Sequence, residues 1–311
     1  METEPLSTDV LIVGGGIAGS TAAIRLARAG ARVLLVSMGS NPMDSNTGWA
    51  QGGIVARGPD DTSELLEEDI LGAGDGLCNP AAVHVLAEEG PPLVEDFLIR
   101  DLGVQFSHGE GGRLDFTQEA AHSTRRILHA LDATGWEIQE KLIGGVAAAG
   151  VSSLANHTAV DLLTLPHHST DPLAIYRPRV AVGIYALNNA TGKVVTILAR
   201  QIILATGGLG QVFLHTTNPP GARGDGIAMA YRAAAEVMNL EYVQFHPTAF
   251  YARGADRFLI SEAVRGEGAR LKTVQGREFM QDYDPRGDLA PRDIVARAIH
   301  EEMLRNGDEY V

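Results

Sequence analysis

Three glycines near the start of the chain, Gly14, Gly16 and Gly19, have the spacing Gly-x-Gly-x-x-Gly, which serves to bind a dinucleotide pyrophosphate. Gly14 permits a tight turn, Gly16 lets phosphate approach the backbone, and Gly19 lets a helix pack closely on a strand. A second group, late in the chain, has the chemistry to bind anions and hold protons. Gln244, His246 and Thr248 lie in VQFHPTAF, where Pro247 favours an extended or turned segment and alternation would place all three on one face. His246 titrates near neutral pH and can donate to a carboxylate, although a lone histidine also serves structural roles. Arg292 follows Pro291 at an expected helix start, where guanidinium and helix N-terminus would converge on an anion. The plain alternative for Arg292 is an exposed helix-start cation. Glu262, Arg265 and Glu267 read best as an ion-paired network holding their loop together.

The glycines need a strand before them and a helix after them, and the sequence supplies both. Residues 10–13 are an all-apolar run suited to a central parallel strand, and Ala18, Ala22, Ala23, Leu26 and Ala27 then recur at helical spacing until Gly30. Gly14, Gly15, Gly16, Ile17, Ala18 and Gly19 are therefore assigned to the phosphates. The acidic residue that usually ends the second strand and binds the adenosine ribose is replaced by Ser37, whose hydroxyl can still hydrogen-bond, sharing the task with the Met38 backbone. A glycine-rich stretch over 39–58 is long for a connecting loop and is expected to be functional or disordered. Helical patterns follow over 62–71, 80–101 and 125–149, the last broken near Gly135, and 156–165 reads as a strand. The runs 180–186 and 194–198, joined by NNATGK, predict a hairpin, and 200–208 predicts another buried strand that ends in small residues. This order predicts an α/β protein with a doubly wound, Rossmann-like nucleotide-binding domain carrying insertions.

At 311 residues the chain suggests about two domains. Its formal net charge of −14 argues against a nucleic-acid partner, which would need clustered Lys and Arg. Cys78 is the single cysteine, so no intrachain disulfide or cysteine-based metal cluster is possible, as befits a reducing cytoplasm. Cys78 itself reads as structural. No metal is expected at His167 and His168 in LPHHSTDP, which lack further ligands. The acidic, polar N-terminus lacks the features of a signal peptide, and no run of about 18 apolar residues predicts a membrane span.

The stretch Asn46, Thr47, Gly48, Trp49, Ala50, Gln51, Gly52 and Gly53 makes a family resemblance specific. Together with Ala205-Thr206-Gly207-Gly208, Gly224-Asp225-Gly226, His246-Pro247-Thr248 and Arg265-Gly266-Glu267-Gly268, it resembles the succinate dehydrogenase and fumarate reductase flavoprotein superfamily over essentially the whole chain. Within it, EAAHSTRRILHALDATG from Glu119 and APRDIVARAIHEEM from Ala290 are most similar to the L-aspartate oxidase family. The resemblance implies an FAD-binding domain over 1–242 and an inserted α+β capping domain over 243–311, incomplete here because members continue well past this point. A chain of this length is accordingly expected to bind FAD poorly and turn over little.

The same resemblance implies the site residues. Covalent-flavin members carry a histidine where Asn46 stands, and an amide cannot form that link, so FAD is expected to be noncovalent. The glycines of the 46–53 stretch would lie against the flavin, with Trp49 either in contact or packing beneath the loop. The strand around Ala159 would contact adenine, Ala205, Thr206 and Gly207 would pass close to the nucleotide, and Asp225 would touch FAD; alone, Gly224-Asp225-Gly226 reads as a turn or helix cap. Substrate carboxylates would meet His246, Ser261 and Arg292, with Arg292 also transferring a proton, a role that its guanidinium pKa above about 12 does not suggest. Ser261 stands where related oxidases have Thr, keeping the hydroxyl. Glu119 would hold the substrate ammonium, in a segment where Ala120 and Ala121 replace two glycines and where Arg125 and Arg126 would position the loop. The implied reaction is hydride loss from L-aspartate to FAD, giving iminoaspartate for NAD biosynthesis, with reoxidation by dioxygen or fumarate and with the next enzyme of that pathway as a possible partner. The alternatives are a soluble fumarate reductase or succinate oxidase, and an inactive FAD-binding remnant.

Overall fold

The computed structural model describes residues 4–119, 121–165, 169–254, 258–266 and 268–311, so Ala120, His167, His168 and Glu267 lie outside the described residues. In chain order the strands are β1 (Leu6–Val13), β2 (Val33–Val36), β3 (Ile54–Val55), β4 (Phe116–Thr117), β5 (Ile127–Leu128), β6 (Ser152–Leu154), β7 (His157–Leu165), β8 (Val180–Asn188) and β9 (Val194–Leu204). The helices are α1 (Ile17–Arg28), α2 (Asn46–Trp49), α3 (Ser63–Ala73), α4 (Pro80–Leu93), α5 (Thr134–Ala148), α6 (Asp225–Arg232), α7 (Glu262–Gly266) and α8 (Arg292–Asn306). Two compact units result: residues 1–50 with 135–240, and residues 51–134 with 241–311. Where the sequence reading places one division, after residue 242, the chain passes between units three times. Residues 51–134 group with the later segment, and their strands β3, β5 and β4 pair only among themselves.

The first unit is built on a six-stranded sheet of order β6-β2-β1-β9-β8-β7. β6, β2, β1 and β9 are parallel, and β9, β8 and β7 form an antiparallel meander. Leu11, Ile184 and Ile197 are fully buried in its core, and Met229 from α6 packs with them. Each such side chain contributes about 1.5–3 kcal/mol by leaving water. The expected return strand is found beside β1, with Leu11 opposite Ile202 and Val13 opposite Leu204. It is continuous with the second arm of the hairpin, because the runs at 194–198 and 200–208 form the single strand β9. β6 and α6 were not foreseen; Gly224 takes a left-handed conformation (φ 77°) as the cap of α6.

The second unit contains the short antiparallel sheet β3-β5-β4, with α3 packed on α4. The helix expected over 125–149 is corrected by the structure: Ile127 and Leu128 pair with both β3 and β4, and the helix proper begins at Thr134. Its first half belongs to a sheet in one unit and its second half to a helix in the other. The helix expected over 80–101 is present, but Pro91 and Pro92 lie inside it and residues 94–101 continue as a wider π-type coil. Cys78 donates to the Ile70 carbonyl near the end of α3. Further along, Phe279, Met280, Ala290, Val295 and Ala298 form a core beneath α8. Residues 244–248 form no strand; the nearest pairing is a single bridge between Ala249 and Leu259.

Candidate functional site

The carboxyl ends of β1, β2 and β9 open onto a cavity of about 980 Å³ within the first unit, a volume suited to a dinucleotide. Gly14, Gly15, Gly16, Ile17 and Ala18 line it, as do Ser37 and Met38 beyond β2, Ala159 on β7, and Ala205, Thr206, Gly207 and Asp225. The cavity is cut to backbone dimensions. Gly14 sits at φ 111°, and a Cβ there would lie 2.2 Å from the Ala205 carbonyl oxygen; one on Gly19 would lie 1.9 Å from the Gly14 carbonyl oxygen. Gly19 thus serves packing and does not line the cavity, as the spacing implies. No side-chain cap from Gly16 closes the N-terminus of α1, so its first-turn amides are presented to an anion, apart from the Ile17 amide, which donates to Thr47 Oγ1 at 3.0 Å. The residues present therefore fit the phosphates of FAD.

The loop expected to be functional is held to this turn by contacts that sequence reasoning missed. Gln139 on α5, fully buried, donates its amide to the carbonyls of Gly15 (2.8 Å) and Pro42 (3.0 Å). Ser45 caps α2 by accepting from the Gly48 amide, a signal that Ser-x-x-Gly spacing carries. Asn46 and Thr47 line the cavity. Gly48, Trp49 and Ala50 do not line it, and Trp49 is 48% exposed rather than packed beneath the loop. Gln51, Gly52 and Gly53 fall in the second unit, where a Cβ on Gly53 would lie 2.5 Å from the Leu128 carbonyl oxygen. The Met38 carbonyl accepts from Asn189, and Asp225 pairs with Arg223 at 2.7 Å.

A separate cluster forms within the second unit from segments far apart in sequence. Arg292, the first residue of α8, donates through Nε to Glu262 Oε1 at 2.9 Å and through Nη2 to Glu119 Oε2 at 3.1 Å. Pro291 precedes the helix as its cap residue rather than occupying the first helical position. Glu262 also accepts from Arg265 at 3.0 Å, and Arg265, buried, donates to the Asp288 carbonyl at 2.8 Å. The expected pairing of Glu262 with Arg265 is thus present, and the same carboxylate serves Arg292. His246 lies in the field of these charges. Burial is the largest effect on it and pushes its pKa below 6.5; Arg292 and Arg265 push the same way, against the Thr248 backbone and Glu262. Its Nδ1 lies 2.9 Å from the Thr248 carbonyl oxygen and 3.3 Å from the Thr248 amide nitrogen, so one residue's backbone holds the ring in place. Ser261 immediately precedes α7, which carries Glu262. The cluster offers one guanidinium for a carboxylate, flanked by two carboxylates and an imidazole that can take up a proton.

Residues 9–311 match the family model described as FAD binding domain. The chain is 45% identical over 307 residues to the L-aspartate oxidase of Halobacterium salinarum, covering 98% of this chain and 58% of that one. It is also 45% identical over 309 residues to the L-aspartate oxidase of Yersinia pestis, covering 96% of this chain and 56% of the relative. Among solved structures, the E. coli quinol fumarate reductase chain FrdA superposes with a TM-score of 0.84 at 28% identity, covering 98% of this chain and 52% of that one. A flavocytochrome c3 fumarate reductase in an open conformation gives a TM-score of 0.74 at 28% identity, with coverages of 95% and 51%. The chain therefore spans a little over half the length of these relatives. With the glycine turn, the cavity and the parallel sheet in place, the chain belongs to the FAD binding domain family, within the flavoprotein superfamily of succinate dehydrogenase and fumarate reductase.

Proposed function

We propose that the full-length protein oxidises L-aspartate to iminoaspartate. The observation that carries this reading is Glu119 within hydrogen-bond distance of Arg292. A carboxylate beside the carboxylate-binding cation supplies a partner for an α-ammonium group, which aspartate has and succinate lacks. The similarity to L-aspartate oxidases along nearly the whole chain supports the same reading.

FAD, when bound, supplies the two-electron acceptor that takes the hydride from Cα. We propose that it is held noncovalently: Gly14 to Ala18 take its phosphates, Ser37 and Met38 its ribose, Ala159 the adenine end, and Ala205, Thr206, Gly207 and Asp225 the opposite wall. Asn46 has no imidazole with which to form a link. The remaining work falls to charged side chains. Arg292 binds one substrate carboxylate, releasing Glu119 to the ammonium, and the Ser261 hydroxyl binds a carboxylate as well. His246, neutral while the cluster holds no substrate, gains proton affinity when a dianion arrives and then donates from Nε2. Glu119 accepts a proton from the ammonium, so that the nitrogen lone pair can form the C=N bond as the hydride leaves. Glu262 holds both Arg265 and Arg292 in register while their partners change.

The setting would be the cytoplasm, with the product feeding NAD biosynthesis and passing to the next enzyme there; dioxygen or fumarate would reoxidise the flavin. No described helix is long and apolar enough to cross a membrane. Fumarate reduction or succinate oxidation is the second reading, favoured by the fold match to fumarate reductase chains. Steady-state assays on full-length, FAD-loaded protein separate the two. Consumption of L-aspartate in excess of succinate is expected, whereas ready fumarate reduction without aspartate consumption would overturn the substrate assignment.

A further inference from the structure

The loop that joins β4 to β5 carries Glu119 just after β4, and a buried charge cluster grips its far side. Arg126, with a relative exposure of 0%, is the largest fully buried side chain among the described residues. It pairs through Nη2 with Asp61 at 2.8 Å and through Nη1 with Asp69 on α3 at 2.6 Å. Asp69 does more than neutralise this cation. Its Oδ2 also accepts from the backbone amide of Ser123 at 2.8 Å and from the Ser123 hydroxyl at 3.0 Å. One carboxylate oxygen therefore ties a buried cation to the backbone of a loop whose turn begins at Glu119.

That turn is strained. The His122 amide donates to the Glu119 carbonyl at 3.3 Å, and Ala121, just before His122, has φ 66°. A positive φ favours glycine, because a Cβ crowds the backbone. Such a conformation persists only where its surroundings over-determine it. Here the chain is fixed on both sides: the ladder pairs Phe116 with Leu128 and Thr117 with Ile127 at the base, the Gln118 side chain donates to the His122 carbonyl, and Asp69 holds Ser123.

We propose that Asp69 is a positioning residue that fixes the turn and thereby the place of Glu119 beside Arg292, so that it governs preference for an amino-bearing dicarboxylate. The proposal rests on the reading of Glu119 given above as the ammonium partner. Asp69 contacts no substrate in this account; it acts through the Ser123 amide and the turn. Loss of its charge would let the turn relax away from the left-handed conformation and swing Glu119 from the cluster.

The test uses the full-length, FAD-loaded protein and reads two Michaelis constants, for L-aspartate in oxidation and for fumarate, which has no ammonium, in reduction. Asp69→Asn is expected to raise the aspartate KM about tenfold while moving the fumarate KM less than about twofold, as for a displaced recognition group. Ala121→Gly, added to Asp69→Asn, is expected to recover part of the difference by removing the backbone strain, which a general loss of stability would not allow. If Asp69→Asn does not fold, Ser123→Ala removes one donor while keeping the Arg126 pair, and a rise of about two- to fivefold in the KM ratio is expected. Equal changes in both constants, no change in the ratio, or no recovery with Ala121→Gly would overturn the proposal. Glu119→Gln separates the two levels. A selective loss of aspartate affinity there with none in Asp69→Asn refutes positioning alone, whereas no selective loss in Glu119→Gln refutes the ammonium reading and the proposal with it.

Discussion

In the first unit the candidate site is lined largely by backbone and small side chains, while in the second it consists of long charged side chains that hold one another. The glycine turn, the ends of β1 and β9 and the start of α6 line the cavity, and at Gly14 the turn lies so close to Ala205 that nothing larger than hydrogen fits. Around Arg292 the charges satisfy one another, Glu119 and Glu262 on one guanidinium and Glu262 also on Arg265, so a ligand would exchange partners rather than fill a space. On the proposed reading the first arrangement selects by shape and backbone amides. On the same reading the second selects by charge balance, and it fails when a change leaves an ion unpaired.

The sharpest way to break this contrast is Arg126→Leu, which removes the guanidinium shared by buried Asp61 and half-buried Asp69 and leaves Asp61 only Arg57 at 3.9 Å. A loss of about 3–5 kcal/mol in chemical denaturation is expected. Next comes Arg292→Lys, which keeps the charge but loses the planar fork that reaches Glu119 and Glu262 together; kcat/KM for aspartate should fall by about 10²–10³. Gly14→Ala sharpens the comparison from the other side. With φ 111° and a carbonyl 2.2 Å from the new Cβ, the turn must shift at a cost of about 1–3 kcal/mol, and the protein should purify with its flavin content reduced.

Smaller effects follow from titration and strain. Burial, more than any neighbouring charge, holds His122 and His246 below 6.5. Both therefore bind protons more readily in the unfolded chain, so their contribution to stability is complete above about pH 6.5 and is lost as pH falls through the depressed values. The thermal midpoint should drop on acidification below pH 6.5, and His122→Gln should flatten that slope. Last, Ala121→Gly should raise stability by about 0.5 kcal/mol, the relief of positive φ exceeding the added entropy of the unfolded chain.

These contrasts also explain what the sequence made legible. The dinucleotide turn, its strand and its helix are contiguous, so spacing and apolar periodicity suffice to place them. The return strand is recognisable because Ile202, Ile203 and Leu204 run together just before the small residues Ala205 to Gly208. Gln139 carries no local sign of its bond to Gly15, 124 residues away, because a buried amide at helical spacing looks like any polar residue on a helix face. The helix wrongly read across 125–133 shows the same limit: its apolar residues fit a helix, and only the pairing of Ile127 and Leu128 with distant strands makes them a sheet. Glu119, Glu262 and Arg292 are separated by up to 173 positions, so their meeting could be anticipated only through family resemblance. Gly53 teaches a further point, since the close approach of β5 requires a glycine there whatever the loop binds.

The central claim, that this flavoprotein takes electrons from L-aspartate, is tested most directly by anaerobic titration of the FAD-loaded, full-length protein with L-aspartate while flavin absorbance is recorded. The account predicts bleaching by aspartate, blunted in Glu119→Gln and at most weak with succinate. Undiminished absorbance under aspartate in protein that holds its flavin and still reduces fumarate would contradict it.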